Sequence, residues 1–178
     1  RTVGDEVGFG PKQLGRTEAE RAADVAAALA LVELSDYAKT HPYDLTTAQR
    51  KLVTLASVLA MRTPILIFDE PTMGQDARGL ALIGGIVERL KGEGRTVLTI
   101  THDIDFCAAH FGRVVVMADG QVLADGAAAD VLARAELLAT TNVEPPPLVR
   151  LAPALRLPRA ALTVDGFVET LQGSSCLF

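Results

Sequence analysis

Three side chains whose chemistry suits cleavage of a phosphate bond follow two short apolar runs in this chain. Asp69 and Glu70 come directly after residues 65–68, and His102 follows residues 96–100 by two positions. A carboxylate at a strand end can hold Mg²⁺, a second can orient or deprotonate a water molecule, and an imidazole can contact phosphate. These positions therefore predict a site at which Asp69 binds the metal ion and Glu70 acts on water.

Two strands must deliver these groups to one place. Residues 65–68 are four successive apolar residues, which is typical of a strand buried on both faces in a parallel sheet between helices. Pro71 then ends the strand, because proline has no N–H to donate to the ladder. Residues 96–100 repeat this pattern of a buried strand that delivers polar groups at its end.

A helix between the two strands completes the unit. Residues 77–91 carry apolar side chains at helical spacing, with Asp76 as the N-cap and Gly92 and Gly94 as the helix stop. A strand, a helix and a second strand form a right-handed crossover, which places Glu70 and His102 side by side at the carboxyl edge of the sheet. Ligands of α/β proteins bind at this edge, so the predicted fold class is α/β with a parallel sheet.

A resemblance to ABC-type ATPases rests on residues 65–72, ILIFDEPT, and residues 98–103, LTITHD, which look like that family's Walker B and histidine-switch segments. Residues 73–76 stand where the family has its D-loop. The resemblance implies a P-loop NTPase-like sheet with a helical signature subdomain, and ATP and Mg²⁺ as cofactors. It also implies Mg²⁺ binding by Asp69, polarisation of the attacking water by Glu70, contact of His102 with the γ-phosphate, and contact of Asp76 across a dimer.

The family's signature, Leu-Ser-Gly-Gly-Gln at the start of a helix, corresponds to Leu-Thr-Thr-Ala-Gln at residues 45–49. A helix N-terminus binds anions through its free N–H groups and its dipole. Thr46 keeps the hydroxyl and Gln49 is retained, whereas Thr47 and Ala48 put β-carbons where glycines would let the backbone approach a phosphate. The resemblance implies a degenerate ATP-binding signature, and an ordinary helix capped by Thr46 is the alternative.

A phosphate-binding P-loop is the element that the sequence matches least. Residues 10–17 come nearest to Gly-x-x-x-x-Gly-Lys-Ser/Thr but carry arginine in place of lysine, and no apolar strand precedes them. A turn at Gly15 and a helix over residues 18–34, with Thr17 and Glu20 as its capping box, explain the segment better. In the ABC interpretation, the chain is the later part of a nucleotide-binding domain and begins after the P-loop and glutamine loop.

Composition favours a cytosolic protein and excludes several classes. The 178 residues are 49 % hydrophobic and 4 % aromatic, carry a net charge of −5 and show no basic stripe, so a nucleic-acid partner is not expected. Cys107 and Cys176 do not form the pattern of a disulfide framework. No apolar run reaches the ~18 residues of a membrane span, so we expect no direct membrane insertion and any membrane association must come through a partner.

The last part of the chain is predicted to be a hairpin followed by short helices. Asp119 and Gly120 are a strong two-residue turn signal between strands over residues 113–117 and 121–124. The elements predicted beyond the hairpin are helices over 128–134 and 135–140, a non-helical break over 144–147, and amphipathic segments over 148–157 and 164–171, the last capped by Thr163.

These elements predict an ATPase domain with an extension. The later part of the ATPase domain is predicted over 1–126 and the extension over 127–178. Within the ATPase part, a helical signature region is predicted over 17–62 and a region from Walker B to the histidine switch over 63–126. The short segments of the extension bury little surface alone, so they must dock either on the main domain or on a second copy.

Three further segments are similar to the ATPase subunits of energy-coupling-factor importers, which take up vitamins and transition-metal ions such as cobalt. They are residues 2–15, residues 58–61 before Pro64, and the tail with Pro-Pro and then Leu-Thr-Val. The resemblance implies an ATPase coupled to transport, a second ABC ATPase subunit as dimer partner, and an integral membrane coupling subunit that holds the chain at the cytoplasmic face of the cell membrane. It also implies that the extension is a dimerisation element.

Two alternative functions stay open at this point. Thr47 and Ala48 favour a non-catalytic ABC-fold partner in an asymmetric pair, whereas the presence of Glu70 and His102 argues against it. The other alternative is a small P-loop NTPase that begins at Gly10, an enzyme of a different class.

Overall fold

The computed structural model describes residues 1–141, 143–155 and 162–173. The chain forms two compact units, Arg1–Ile100 and Thr101–Phe178. These units do not test the predicted ATPase domain over 1–126 and extension over 127–178, so that division stays a prediction. Cys176 and the end of the segment predicted over 148–157 lie outside the described residues.

Four helices open the first unit. They are α1 (Val3–Val7), α2 (Phe9–Gln13), α3 (Glu18–Leu31) and α4 (Thr47–Leu59), with short 3₁₀ turns at Ser35–Tyr37 and Pro42–Asp44 between the last two. Helix α1 packs against α3 and α4, and its Val3 and Val7 are fully buried. A threonine caps α1, α3 and α4 in a capping box, so these helices begin where a hydroxyl is followed three residues later by an acceptor side chain.

Helix α3 ends at Leu31, earlier than the predicted end at Leu34. Glu33 adopts a left-handed backbone with a φ of 56°, and its N–H donates to the carbonyl oxygen of Ala30 at 3.3 Å. The N–H of Leu34 donates to the carbonyl oxygen of Leu29 at 2.9 Å. These bonds form a Schellman ending, which usually has glycine at the left-handed position. The predicted helix is too long at this end, because a glutamate at this position, unlike a glycine, does not indicate in the sequence that the helix ends.

A parallel pair of strands forms the sheet of the first unit. Strand β1 (Ile65–Asp69) pairs with β2 (Thr96–Ile100) in a register that ends with Asp69 opposite Ile100. Helix α5 (Ala77–Gly92) joins the two strands, and Asp76 caps it by accepting a hydrogen bond of 2.8 Å from the N–H of Gly79. The predicted strand, helix and strand are confirmed.

The burial of strand β1 differs from the prediction. Leu66 and Phe68 are buried, whereas Ile65 and Ile67 are 60 % and 62 % exposed. Side chains alternate across a strand, and within the described part of this unit one face of the two-stranded sheet is covered. The prediction of a strand buried on both faces is therefore wrong for this chain.

An antiparallel hairpin lies near the start of the second unit. Helix α6 (Ile104–His110) precedes strands β3 (Arg113–Ala118) and β4 (Gln121–Ala127), which pair antiparallel. Asp119 and Gly120 join the strands with φ values of 49° and 74°, both left-handed as the tight turn of type I′ requires. The predicted hairpin is confirmed.

Short helices follow the hairpin. They are α7 (Ala128–Leu132), α8 (Ala135–Ala139), α9 (Pro147–Ala154) and α10 (Val164–Gly173). The predicted non-helical break is correct as far as Pro146, but Pro147 begins α9, because proline fits the first helical position, where an N–H has no intrahelical partner. None of the helices in the described ranges is long and apolar enough to cross a membrane.

An apolar cluster holds the second unit together. Its members come from α6, both strands of the hairpin, α7 and α8, and they are Ala108, Val116, Ala124, Ala128, Val131, Leu132 and Leu138. Ile104, from α6, and Val143, which follows α8, both pack against this cluster. The segment after α8 is therefore attached to the same core as the helix that follows His102.

Candidate functional site

Asp69 and Glu70 occupy the carboxyl end of β1, as the sequence predicts. Asp69 is the last residue of the strand, and its side chain is exposed. Glu70 is half-buried, and its backbone N–H donates to the carbonyl oxygen of Ile100 at 2.8 Å, which extends the ladder beyond the last register pair. Two consecutive carboxylates thus stand at the edge of a parallel sheet where ligands of α/β proteins bind.

The backbone of Glu70 has an uncommon conformation. Its φ is 47°, in the left-handed region that residues other than glycine and asparagine rarely occupy. Such conformations persist where surrounding bonds hold them, and they are concentrated at functional sites. Here the support comes from the bond to Ile100 and from a turn bond of 3.3 Å, in which the N–H of Met73 donates to the carbonyl oxygen of Glu70.

Residues 71–76 link Glu70 to helix α5 through a tight loop. The N–H of Gln75 donates to the carbonyl oxygen of Thr72 at 3.1 Å, and Gly74 has a φ of 74°, which glycine adopts without steric cost. Asp76 ends the loop as the N-cap of α5. The predicted capping role of Asp76 is confirmed, and its contact across a dimer stays a prediction.

The segment 45–49 begins helix α4, with Thr46 as its N-cap. The hydroxyl of Thr46 accepts from the N–H of Gln49 at 3.2 Å, and the N–H of Thr46 donates to Oε1 of Gln49 at 3.0 Å. The capping box therefore engages two of the side chains that the sequence proposes for nucleotide binding. Helix geometry leaves the N–H groups of Thr47 and Ala48 without an intrahelical acceptor, so these amides are what the helix can offer to an anion.

The carboxyl end of β1 and helix α4 line a common cavity of about 510 Å³. Its wall contains both carboxylates, the loop residues Met73 and Gln75, and Lys51 from α4. The ammonium group of Lys51 donates to the carbonyl oxygen of Met73 at 2.5 Å. The sequence does not identify Lys51 as part of the site. Its partner is a backbone carbonyl 22 positions along the chain, and no residue type indicates such a partner.

The donor set at this edge suits Mg²⁺ that is bound together with a nucleotide. Among the described residues, no three His, Cys, Asp or Glu side chains gather into a metal centre of their own. Mg²⁺ in nucleotide sites usually takes one or two carboxylates, with phosphate oxygens and waters as the remaining ligands. Asp69 offers one exposed carboxylate of this kind. Its metal binding stays a prediction with which the donor chemistry agrees.

His102 belongs to the second unit and follows the last residue of β2 by two positions. Its neighbour Asp103 caps α6 by accepting from the N–H of Phe106 at 2.9 Å, and the N–H of Asp103 donates to the hydroxyl of Thr101 at 3.1 Å. His102 lines a cavity of about 350 Å³ together with residues 143–147. Its predicted place beside the carboxyl end of β1 stays a prediction.

The segment 10–17 is not a phosphate-binding loop in this structure. Helix α2 covers its first residues, Gly15 makes the turn with a φ of 75°, and Thr17 caps α3 in a capping box with Glu20. Hydrogen bonds from Thr17 hold the pKa of the Glu20 carboxyl below its usual value. Arg16 lies 3.8 Å from that carboxylate. The predicted turn and cap are confirmed, and this arrangement argues against a small P-loop NTPase.

Comparison with known proteins gives a family match and close relatives. The family model described as ABC transporter matches residues 2–73. The chain is 41 % identical over 175 residues to the energy-coupling factor transporter ATP-binding protein EcfA1 of Symbiobacterium thermophilum, a match that covers 95 % of this chain and 61 % of that protein. It is 39 % identical over 151 residues to the cobalt import ATP-binding protein CbiO of Rhodobacter capsulatus, covering 85 % of this chain and 54 % of that protein. The chain thus spans less than two thirds of the length of either relative.

Solved structures of similar fold include cbiO1 from Clostridium perfringens, described as part of the ABC transporter complex cbiONQ. It is 31 % identical to this chain with a TM-score of 0.67, and the match covers 87 % of this chain and 61 % of that one. MJ1267, described as an ATP-binding cassette of an ABC transporter, has a TM-score of 0.69 at 24 % identity, with 79 % of this chain and 62 % of that chain covered, and supports the fold alone. The predicted fold class is confirmed.

Proposed function

The chain belongs to the ABC transporter ATPase family, and from this premise we propose that it is part of an ATP-hydrolysing subunit of an energy-coupling-factor type importer. The observation that carries the proposal is the pair Asp69 and Glu70 at the carboxyl end of a parallel strand, in one cavity with helix α4. Two relatives named as ATP-binding proteins of an energy-coupling factor transporter and of cobalt import support the same conclusion.

The groups at the strand ends are assigned roles in the hydrolysis of ATP. Asp69 holds Mg²⁺, which neutralises phosphate charge when it is bound with the nucleotide. Glu70 orients or deprotonates the attacking water, and His102 contacts the γ-phosphate. A positioned base contributes ~10²- to 10⁴-fold to rate. The bond of Glu70 to Ile100 favours this assignment, because a fixed backbone reduces the freedom of the carboxylate before the reaction.

A composite site of this kind takes two subunits. We assign the amides of Thr47 and Ala48, with Thr46 and Gln49 as their capping box, to the ATP that is held by the P-loop of an opposite subunit. Asp76 contacts that subunit, and residues 127–178 help to form the dimer. An integral membrane coupling subunit is the further partner, and it holds the ATPase pair at the cytoplasmic face of the membrane. The cargo is a vitamin or a transition-metal ion.

A second candidate function is that of a non-catalytic ABC-fold partner. The observation that favours it is the pair of side chains at Thr47 and Ala48, in the first turn of a helix where an anion would meet backbone amides. In this alternative the chain contributes a surface to an active partner subunit, and Glu70 does not take part in turnover.

The two candidates are separated by an experiment on the full-length subunit reconstituted with its membrane partners in liposomes. Mg²⁺-dependent ATP hydrolysis that accompanies uptake of Co²⁺ or a vitamin supports the importer. Hydrolysis and uptake that are unaffected by Glu70→Gln favour the non-catalytic partner. Failure of the full-length subunit to bind ATP, as measured by calorimetry, would overturn the proposal of an ATPase subunit.

A further inference from the structure

Lys51 joins two segments of the first unit that are distant in sequence. Its ammonium group donates to the carbonyl oxygen of Met73 at 2.5 Å. A second bond runs in the opposite direction between the same segments, from Nε2 of Gln75 to the carbonyl oxygen of Ala48 at 3.4 Å. Helix α4, which carries the signature segment at its start, is therefore bonded directly to the loop over residues 71–76.

The position of Lys51 explains how one side chain reaches the loop. Lys51 is half-buried in the second turn of α4 and lines the cavity that also contains Asp69 and Glu70. Its ammonium group lies close to Gly74, where an added β-carbon would come within 3.7 Å of Nζ. A hydrogen bond from an ionised donor is stronger than one between neutral groups.

The ends of this loop are the residues on which the proposed chemistry depends. Glu70 precedes it and is fixed to β2 through its N–H and Ile100, and Asp76 closes it as the cap of α5. Lys51 holds the middle of the loop, at Met73, between these two anchors. A shift of α4 is therefore transmitted to the loop through a direct hydrogen bond between a side chain of the helix and a backbone carbonyl of the loop.

We propose that Lys51 is a positioning residue that couples helix α4 to the loop between Glu70 and Asp76 of the same subunit. Lys51 keeps the loop in the conformation that aims the Glu70 carboxylate, so a movement of the signature helix changes the geometry of the base. The inference rests on the proposed function, since it assigns Glu70 to hydrolysis. The hydrogen bond from Lys51 to the carbonyl oxygen of Met73, here called the tether, is a property of the fold. It can be tested without measuring turnover.

The first test measures backbone hydrogen exchange in the full-length subunit over residues 71–79. Lys51→Met keeps an unbranched apolar stem of nearly the same length but removes the donor and the charge. It should raise exchange in this segment about 3- to 10-fold, the range that one hydrogen bond contributes. Lys51→Arg retains a charged donor and should restore part of the protection. Lys91→Met, in the last turn of α5, is the matched control and should leave the segment unchanged.

The second test measures ATP turnover by the same variants in the assembled transporter. Lys51→Met should lower kcat about 3- to 10-fold and leave the KM for ATP within about twofold, because the tether orients the base and does not hold the phosphates. Unchanged exchange in Lys51→Met would overturn the tether, whatever the turnover. Faster exchange with unchanged kcat would overturn its coupling to Glu70. A transporter that is inactive before any substitution would refute the proposed function, while the exchange result would still decide the tether.

Discussion

The N–H of Glu70 donates to the carbonyl oxygen of Ile100 at 2.8 Å, so the residue after strand β1 is bonded to the last residue of strand β2. This bond is made by the backbone of Glu70 and not by its carboxylate. It also holds the left-handed φ of 47° at Glu70. A substitution that changes the side chain of Glu70 and keeps its size is therefore expected to preserve the loop that follows.

Glu70→Gln in the complete subunit should retain ATP binding and dimer closure but lower turnover by roughly 10² to 10⁴, the usual contribution of a positioned base. Glutamine keeps the size of the side chain and removes its ability to accept a proton. Steady-state hydrolysis by the assembled transporter measures the turnover, and calorimetry measures the binding. An unchanged rate would contradict the role of Glu70 and favour the non-catalytic partner.

His102→Ala should lower turnover to a similar extent, because alanine cannot make the proposed contact with the γ-phosphate. The cap of α6 should persist, since it is formed by the side chain of Asp103, whose N–H is bonded to the hydroxyl of Thr101. Circular dichroism checks the fold, and steady-state hydrolysis checks the role. Turnover close to that of the unmodified subunit would mean that His102 has a structural role in the cavity that it lines with residues 143–147.

Residue types at strand ends were sufficient to predict the candidate carboxylates. Asp69 and Glu70 follow an apolar run that forms a strand, and a long enough connection with helical spacing predicts a parallel neighbour. What the sequence could not predict is the burial of the strand. A run of four apolar residues does not tell which elements cover each face, and Ile65 and Ile67 are exposed here.

The contact of Lys51 with Met73 illustrates a second limit. The donor lies in the second turn of a helix and the acceptor is a backbone carbonyl in a loop 22 positions away, so neither residue type marks the pair. The end of α3 shows the same difficulty at short range. Glu33 takes the left-handed position without a glycine, and the two closing bonds are made by its own N–H and by that of Leu34.

A chain of these 178 residues should bind Mg-ATP only weakly, because residues 10–17 form a turn and a helix cap and do not cradle phosphate. Gly15→Val tests the point, since valine is strained at a φ of 75° but the position is not a phosphate contact. Titration calorimetry should give weak binding for both proteins. Micromolar binding that disappears in Gly15→Val would restore residues 10–17 as a genuine P-loop.

The hairpin of the second unit should contribute stability that depends on pH. Arg113 donates to both carboxylate oxygens of Asp125, at 2.8 and 2.7 Å, and this pairing lowers the pKa of Asp125. Because the unfolded state binds a proton more readily, the contribution is present at neutral pH and is lost as the pH falls below about 4.

Asp125→Asn should therefore lower the urea midpoint at pH 7, and its difference from the unmodified protein should shrink in acid. Glu169→Gln, which neutralises an exposed carboxylate in the middle of α10, is the control for a general loss of negative charge. A difference between Asp125→Asn and the unmodified protein that stays the same from pH 7 to pH 3 would contradict the ion-pair explanation.

Restoring glycines at residues 47 and 48 should raise hydrolysis at the site that this signature faces. The amides of Thr47 and Ala48 lie in the first turn of α4, where β-carbons would hinder the close approach of a phosphate oxygen that glycines allow. Loss of one preorganised donor at a developing charge costs about 3 kcal/mol, or about 10² to 10³ in rate.

Thr47→Gly with Ala48→Gly in the assembled transporter should recover part of this factor of about 10² to 10³ in the rate of hydrolysis. The gain should vanish when the Walker B glutamate of the opposite subunit is neutralised, because in the proposed composite site that glutamate and this signature act on the same ATP. An unchanged or lower rate in steady-state hydrolysis would show that the helix start has adapted to Thr47 and Ala48, and the signature would not be degenerate.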